Sequence, residues 1–352
     1  MNLKRLNLER LNLEHLNAEL RTFAFRYLVD YLCAMKVTEH LQAAVNKPLV
    51  SFEVLPPLKG GGMQDIFKKL DPLMEFKPPF IDVTYHREEF IYKQRPSGYY
   101  EKAAIRKRPG TVGICTAISH HYGVDTVPHL ICGGFSVEDT ENALIDLNFL
   151  NITNVLALRG DGRKFDGKFV PEEHGHPFAI DLVKQINDMN AGIYLDAGIE
   201  NGMSTDFCVG VAGYPEKHFE APNYKLDLQM LKNKIDAGAD YIVTQMFFDN
   251  KYFFKFVEDC REMGITVPII PGIKPLTRAS QLVSIPRVFY INLPDDLVDA
   301  VTAATTKEGV REAGMEWCIH QCKELIEFGV PCLHFYTMGD SKLIHRIISN
   351  LV

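Results

Sequence analysis

The chain has 352 residues, 46% hydrophobic and 24% charged, which suits an ordinary soluble globular enzyme of one large domain or two small ones. Its net charge of -7 argues against general nucleic-acid affinity, which needs a basic face. Eight cysteines lie scattered without a CxxC pair, and Cys318 and Cys322, four apart on an expected helix, read as small core residues rather than metal ligands.

Residues 1–34 differ from the rest. Leucine recurs in a five-residue pattern, LNLER, LNLEH, LNAEL. Five residues advance a helix by about 500°, so no single apolar stripe persists. Phe23–Met35 is more apolar but too short to span a membrane, and it makes a poor signal core. Two readings stand: a helical extension, or a segment upstream of a natural start at Met35. Either way residues 35–352 form the folded domain.

From Leu49 the pattern is regular. Leu49–Leu55 reads as a strand closed by Pro56 and Pro57. A helix follows over Met63–Met74, then a strand over Phe80–Tyr85. Glu88–Arg108 shows no clean period and reads as a long loop with a helix near Tyr100–Lys107. Val127–Cys132 is the third strand. Ser136, with Asp139 three positions on, caps a helix running to about Leu150. Asn154–Leu158 is an apolar fourth strand that stops on Arg159, Gly160 and Asp161. Helix Pro177–Met189, strand Phe207–Tyr214 and helix Tyr224–Ala237 come next. Strand Tyr241–Phe247, helix Lys251–Met263 and strand Val267–Ile273 follow. Helices near Arg278–Ser284 and Asp295–Thr302 precede a long helix from Glu308 to Phe328, strand Val330–Tyr336 and a closing helix. Eight strands alternating with helices predict an α/β fold, a (β/α)8 TIM barrel, with an open doubly wound sheet as the alternative.

Several strands end in polar groups, which places a site at their carboxyl ends. Glu53 lies between Phe52 and Val54. It is either paired to a structural cation or a proton donor whose carboxyl pKa burial has raised. Asp161 either pairs with Arg159 or faces a ligand. His129 ends a strand and, taken alone, suits a satisfied core position. Gln245 sits in an apolar run, where a buried amide needs several partners. Tyr214-Pro215-Glu216-Lys217-His218 offers a ring, a cation and an imidazole, a mixture that suits a flat ring system with phosphates. No GxGxxG follows a strand, and Gly162–Lys168 lacks the Ser or Thr of a phosphate-binding loop because Phe169 takes its place.

Nine segments carry a resemblance: Ser51-Phe52-Glu53 with Pro56-Pro57, Val83-Thr84-Tyr85, Pro128-His129-Leu130, Ala157-Leu158-Arg159-Gly160-Asp161, Gly213-Tyr214-Pro215-Glu216-Lys217-His218, Asp236-Ala237-Gly238-Ala239-Asp240, Thr244-Gln245-Met246-Phe247-Phe248-Asp249, Pro271-Gly272-Ile273-Lys274-Pro275 and His334-Phe335-Tyr336-Thr337. In this order, over roughly residues 48–350, the chain resembles the methylenetetrahydrofolate reductase family in its short, barrel-only form. The resemblance implies a cytoplasmic, homo-oligomeric flavin enzyme acting on small molecules, with no nucleic-acid or membrane partner. Its FAD would relay a hydride from NADH or NADPH to 5,10-methylenetetrahydrofolate, in service of one-carbon metabolism and methionine supply.

By motif position Glu53 matches the general acid, and Asp161 a catalytic charge that also meets FAD and substrate. Thr84, Tyr85, His129, Arg159, Gly160, Ala179, Tyr214, His218, Asp227 and Lys234 match cofactor positions, Thr84 on the nicotinamide. Gln245 and Gln281 match substrate positions, with Gln245 also meeting the nicotinamide. Three departures stand out. Met338-Gly339-Asp340 replaces the family's Leu-Asn-Arg, Met230 and Asn233 replace polar or basic cofactor contacts, and the loop 88–110 is long. The alternatives are a flavin-free pterin barrel, such as a methyltransferase, and a non-catalytic folate- or flavin-binding subunit.

Overall fold

The computed structural model describes residues 34–44, 47–162 and 168–351. The expected extension over 1–34, Ala34 apart, therefore lies outside the described residues, as does most of the Gly162–Lys168 loop.

Helix α1 (Val37–Ala43) leads into β1 (Leu49–Val54), helix α2 (Met63–Leu70) with a 3-10 turn, and β2 (Phe80–Val83). Strands β3 (Glu89–Gln94) and β4 (Tyr100–Ile105) follow, then α3 (Thr111–Tyr122), β5 (Asp125–Ile131), α4 (Val137–Phe149) and β6 (Asn154–Leu158). The alternation continues through α5 (Ala179–Asn190), β7 (Cys208–Gly213), α6 (Tyr224–Asp236), β8 (Tyr241–Thr244) and α7 (Asn250–Glu262). Short strands β9 (Ile269–Ile270) and β10 (Gly272–Ile273) precede α8 (Gln281–Phe289), α9 (Asp295–Ala303), α10 (Lys307–Phe328), β11 (Cys332–Tyr336) and α11 (Ser341–Ser349).

The main sheet runs β10-β11-β1-β2-β5-β6-β7-β8-β9, with every pairing parallel. Only Pro271 separates β9 from β10, and its missing N–H interrupts the ladder. The two pieces are halves of one stave. The sheet therefore meets itself as an eight-stave barrel, and the open-sheet alternative falls.

Side-chain alternation splits the core in two. Outward residues such as Phe52, Val83, Val155, Val209, Ile242 and Phe335 pack under the helices. Inward residues Phe80, Val127, Leu156, Cys208, Tyr241, Ile270 and Cys332 fill the lower barrel. Val37 and Leu41 of α1 join this inner cluster and plug the amino-terminal mouth. Asn154 anchors the plug, accepting from the Val37 N–H at 2.8 Å and donating to the Met35 carbonyl at 2.9 Å. That end is closed by this apolar packing, with polar contacts such as His40 to Asp125 at 2.6 Å around its edge, which leaves the carboxyl-terminal mouth as the open end.

Several local expectations need correction. The stretch Tyr100–Lys107 forms no helix; Glu89–Gln94 and Tyr100–Ile105 make an antiparallel hairpin. It is exposed on both faces, so no burial alternation marks it in sequence. Helix α3 had no counterpart in the expected elements. Its first half is rich in β-branched residues and holds Gly113, a poor local helix sequence, and burial of Ile114, Cys115 and Ile118 overrides propensity. The helix expected near Arg278–Ser284 runs over Gln281–Phe289. Strands two and six stop at Val83 and Thr244, short of Tyr85 and Phe247, because the chain leaves the ladder as it enters the mouth. The capping box at Ser136 forms as expected, with Asp139 N–H donating to Ser136 Oγ at 3.1 Å. Cys318 and Cys322 are buried core residues of α10.

Candidate active site

Glu53 stands near the top of β1, paired in register with Tyr336 on one side and Asp82 on the other. Both of its neighbouring staves also point polar side chains inward. Asp82 accepts from or shares a proton with His129 Nε2 at 3.3 Å, and the same nitrogen lies 3.8 Å from Glu53 Oε2. His334 stands 4.0 Å from Asp82 and 2.8 Å from Ser51 Oγ. Among the described residues the ionic partner nearest Glu53 is thus a histidine rather than a structural lysine or arginine.

Burial dominates Glu53. It pushes the carboxyl up to about 7, with Asp82 adding to the rise while His129 and Lys274 oppose it. Burial also works against charge on His129, but the Asp82 hydrogen bond and the Glu53 and Asp82 charges outweigh it, so its pKa is raised. His334 is held below its ordinary value, first by burial. The result is a carboxylic acid that keeps its proton near neutrality at the mouth of a barrel. Such a group can donate a proton to a bound base.

The cofactor positions implied by resemblance line the adjoining rim. Thr84 Oγ1 lies 3.2 Å from His86 Nε2, and the Thr84 amide donates to the Val54 carbonyl at 3.1 Å. The Tyr85 ring packs 4.9 Å from Phe135 and takes the Arg106 guanidinium on its hydroxyl. Arg159, just past β6, pairs with Glu220 rather than with Asp161 and lies over the Phe169 ring. Gly160 has φ +83°, where a Cβ would press on Ile131, so the chain can turn there only as glycine without strain. Asp161 follows it into solvent at the mouth.

On the next stave, Tyr214 and His218 meet edge to face at 4.7 Å. Asp227 holds that loop by accepting the His218 amide at 2.8 Å. Lys234 donates to the Ala212 carbonyl at 2.6 Å, and burial lowers its pKa to about 8. Ala179 is the first residue of α5, whose free amino-terminal N–H groups favour an anion. Gln245 follows β8, with its Oε1 accepting the Met246 amide at 3.0 Å. Gln281 stands further out on α8. Its Oε1 accepts from the Thr277 and Arg278 amides at 2.7 and 2.9 Å, which leaves its Nε2 as the group to offer a ligand.

The departures acquire structural reasons. Asp340, where the family places an arginine, pairs with Arg311 at 2.7 Å and caps α11. Met230 is exposed, and Asn233 accepts from Gln229 at 3.0 Å. Asp82, Lys274 and His334 gather around Glu53 although sequence reasoning gave none of them a role. All three lay inside or beside the resembling segments, and the signal was a charged or ionisable residue at an inward strand position.

A family model described as methylenetetrahydrofolate reductase matches residues 36–352. The chain is 32% identical over 329 residues to "Methylenetetrahydrofolate reductase (NADH) 1" of Arabidopsis thaliana, covering 90% of this chain and 51% of that protein. It is 31% identical over 314 residues to "5,10-methylenetetrahydrofolate reductase" of Pectobacterium carotovorum subsp. carotovorum, covering 88% of this chain and 91% of that protein. The chain thus spans about half the length of the plant relative and nearly all of the bacterial one. A solved structure described as an uncharacterized protein from Clostridium thermocellum that binds two copies of 5-methyl-5,6,7,8-tetrahydrofolic acid superposes with a TM-score of 0.53 at 12% identity, over 87% of this chain and 96% of that one. At that identity it supports the barrel fold alone.

Proposed function

This chain belongs to the methylenetetrahydrofolate reductase family, and from that premise we propose that it reduces 5,10-methylenetetrahydrofolate to 5-methyltetrahydrofolate with FAD and NADH or NADPH. The observation that carries the reading is the half-buried Glu53, its carboxyl pushed up to about 7, at a mouth ringed by groups suited to a flavin dinucleotide.

The residues present fit that cofactor. Lys234 keeps ammonium donors beyond the one used by Ala212, Arg159 is held in place by Glu220, and the Tyr214–His218 pair offers ring faces and edges. We assign these residues, with Tyr85, His129, Gly160, Asp161, Asp227 and the α5 start at Ala179, to holding FAD, and Thr84 with Gln245 to the nicotinamide. When bound, FAD supplies the hydride relay between the nicotinamide and the folate.

The protein's own part is proton and charge placement. The methylene bridge opens to a cationic iminium only once the departing nitrogen carries a proton. Glu53 gives that proton from its carboxyl oxygen. Asp161 supplies a fixed negative charge at the mouth, which favours the cation. Gln245 and Gln281 orient the pterin by hydrogen bonds. Among the described residues no helix is long and apolar enough to cross a membrane. Absorbance of the purified protein tests the cofactor. A flavin spectrum is expected, and a colourless protein that FAD cannot reconstitute would refute the reading.

A further inference from the structure

Lys274 has no task in the chemistry assigned so far. It directly follows β10, where Ile273 pairs with Phe335. Continuing that register sets Lys274 beside Tyr336, which pairs with Glu53, which in turn pairs with Asp82. Four consecutive staves thus bring Lys274, Tyr336, Glu53 and Asp82 to one level of the barrel. The backbone here is pinned from outside. Gly314 of α10 meets the Leu276 carbonyl so closely that a Cβ would stand 1.9 Å from its oxygen.

The Lys274 side chain is buried, at 7% exposure. Among the described residues its ammonium makes no hydrogen bond or ion pair. A buried cation without a counter-ion is costly, and a fold keeps one where a negative charge arises during function. The groups that face Glu53 are Asp82 from β2, His129 from β5, Tyr336 from β11 and Lys274. His129 is engaged with Asp82. Lys274 is the cation not otherwise committed, and the charges around it are Glu53 and, from the following loop, Arg278.

We propose that Lys274 is a positioning residue for proton transfer, its ammonium placed beside Glu53 to hold the carboxylate formed when Glu53 gives up its proton. This rests on the reading of Glu53 as the proton donor. In the step, the Glu53 O–H bond breaks and an N–H bond forms on the departing folate nitrogen. The electron pair stays on the carboxylate, and Lys274 keeps its own proton throughout. Glu53 regains a proton from solvent, to which its side chain is 17% exposed.

The direct test is an infrared titration of Glu53 in the intact protein. The carbonyl band of its acid form is identified by its loss in Glu53→Gln. An adjacent opposite charge typically moves a carboxyl pKa by about 1–3 units, so Lys274→Met should raise the midpoint by about one pH unit. Lys274→Arg should leave it near the parent value. The folate half-reaction of Lys274→Met should slow, with its descending pH limb displaced the same way. Its melting temperature should not fall, because methionine removes an uncompensated buried charge. An unmoved midpoint would overturn the proposal. So would a raised folate KM with the midpoint unchanged, which would make Lys274 a substrate contact. If Lys274→Met does not fold, the same titration of Lys274→Gln decides: a raised midpoint supports the proposal and an unmoved one overturns it. Flavin content and bleaching by NADH report separately on the reductase reading, so either claim can fail without the other.

Discussion

Glu53→Gln keeps the shape of the side chain and removes its proton and its charge. The carboxyl is raised from 4.5 to about 7, first by burial. The fold therefore favours the acid form. Stabilisation from this group is complete below about pH 4.5 and is lost as the pH rises through about 7. The shift is worth about 3 kcal/mol at 1.36 kcal/mol per unit. Most of that falls between about pH 5 and about pH 8.5, so Glu53→Gln should gain about 2–3 kcal/mol on the parent protein across this interval. Denaturant unfolding at the two pH values measures the difference. Rapid-mixing kinetics supply the functional half. General acid catalysis contributes about 10²–10⁴-fold, so transfer to the folate should slow by at least that range while reduction of the flavin by NADH stays near the parent rate. A parallel pH dependence of stability, or equal losses in both half-reactions, would refute the assignment and leave Glu53 a packing residue.

Three further outcomes follow from the site. Asp161→Asn should slow transfer to the folate selectively and raise the flavin midpoint potential; an unchanged potential with an unimpaired folate step would reduce Asp161 to a structural residue. Lys234 loses its charge near pH 8, so FAD affinity measured by ultrafiltration should weaken above that pH in the parent protein and be weaker but flat in Lys234→Met; a parent affinity that does not vary with pH would remove Lys234 from the cofactor site. Deleting residues 1–34 should leave flavin content and melting temperature nearly unchanged, because Asn154 secures the plug from Met35 onward; a large loss in either would show that the extension packs on the barrel.

Much of the barrel was legible because parallel staves are buried on both faces and read as apolar runs closed by turn residues. Val155, Leu156 and Ala157 are of that kind, and all are buried. What escaped has physical reasons. The β3–β4 hairpin lies on the surface, so neither face demands apolar residues. Helix α1 has seven residues, too few for a period to show, and its burial comes from the barrel floor it plugs. Strand ends were drawn too long where apolar residues continue into the mouth, as at Met246 and Phe247. Within the site, Glu53 and His129 stood out by their strand positions, took their roles from the resemblance, and are brought within 3.8 Å. Asp82 and Lys274 were passed over because their significance lies in register across β10, β11, β1 and β2, which pairs residues far apart in the chain. Of the two readings of Asp161, pairing with Arg159 is not formed among the described residues: Arg159 pairs with Glu220, and Gly160 turns the backbone between Arg159 and Asp161.

On the proposed function, one barrel mouth holds a flavin and passes hydride from a nicotinamide to a folate. Anaerobic mixing of the purified protein, first with NADH and then with 5,10-methylenetetrahydrofolate, tests it in a single trace. The flavin absorbance should bleach on the first addition and return on the second, with 5-methyltetrahydrofolate formed in equal amount. A flavin that bleaches but stays reduced in the presence of the folate would contradict it.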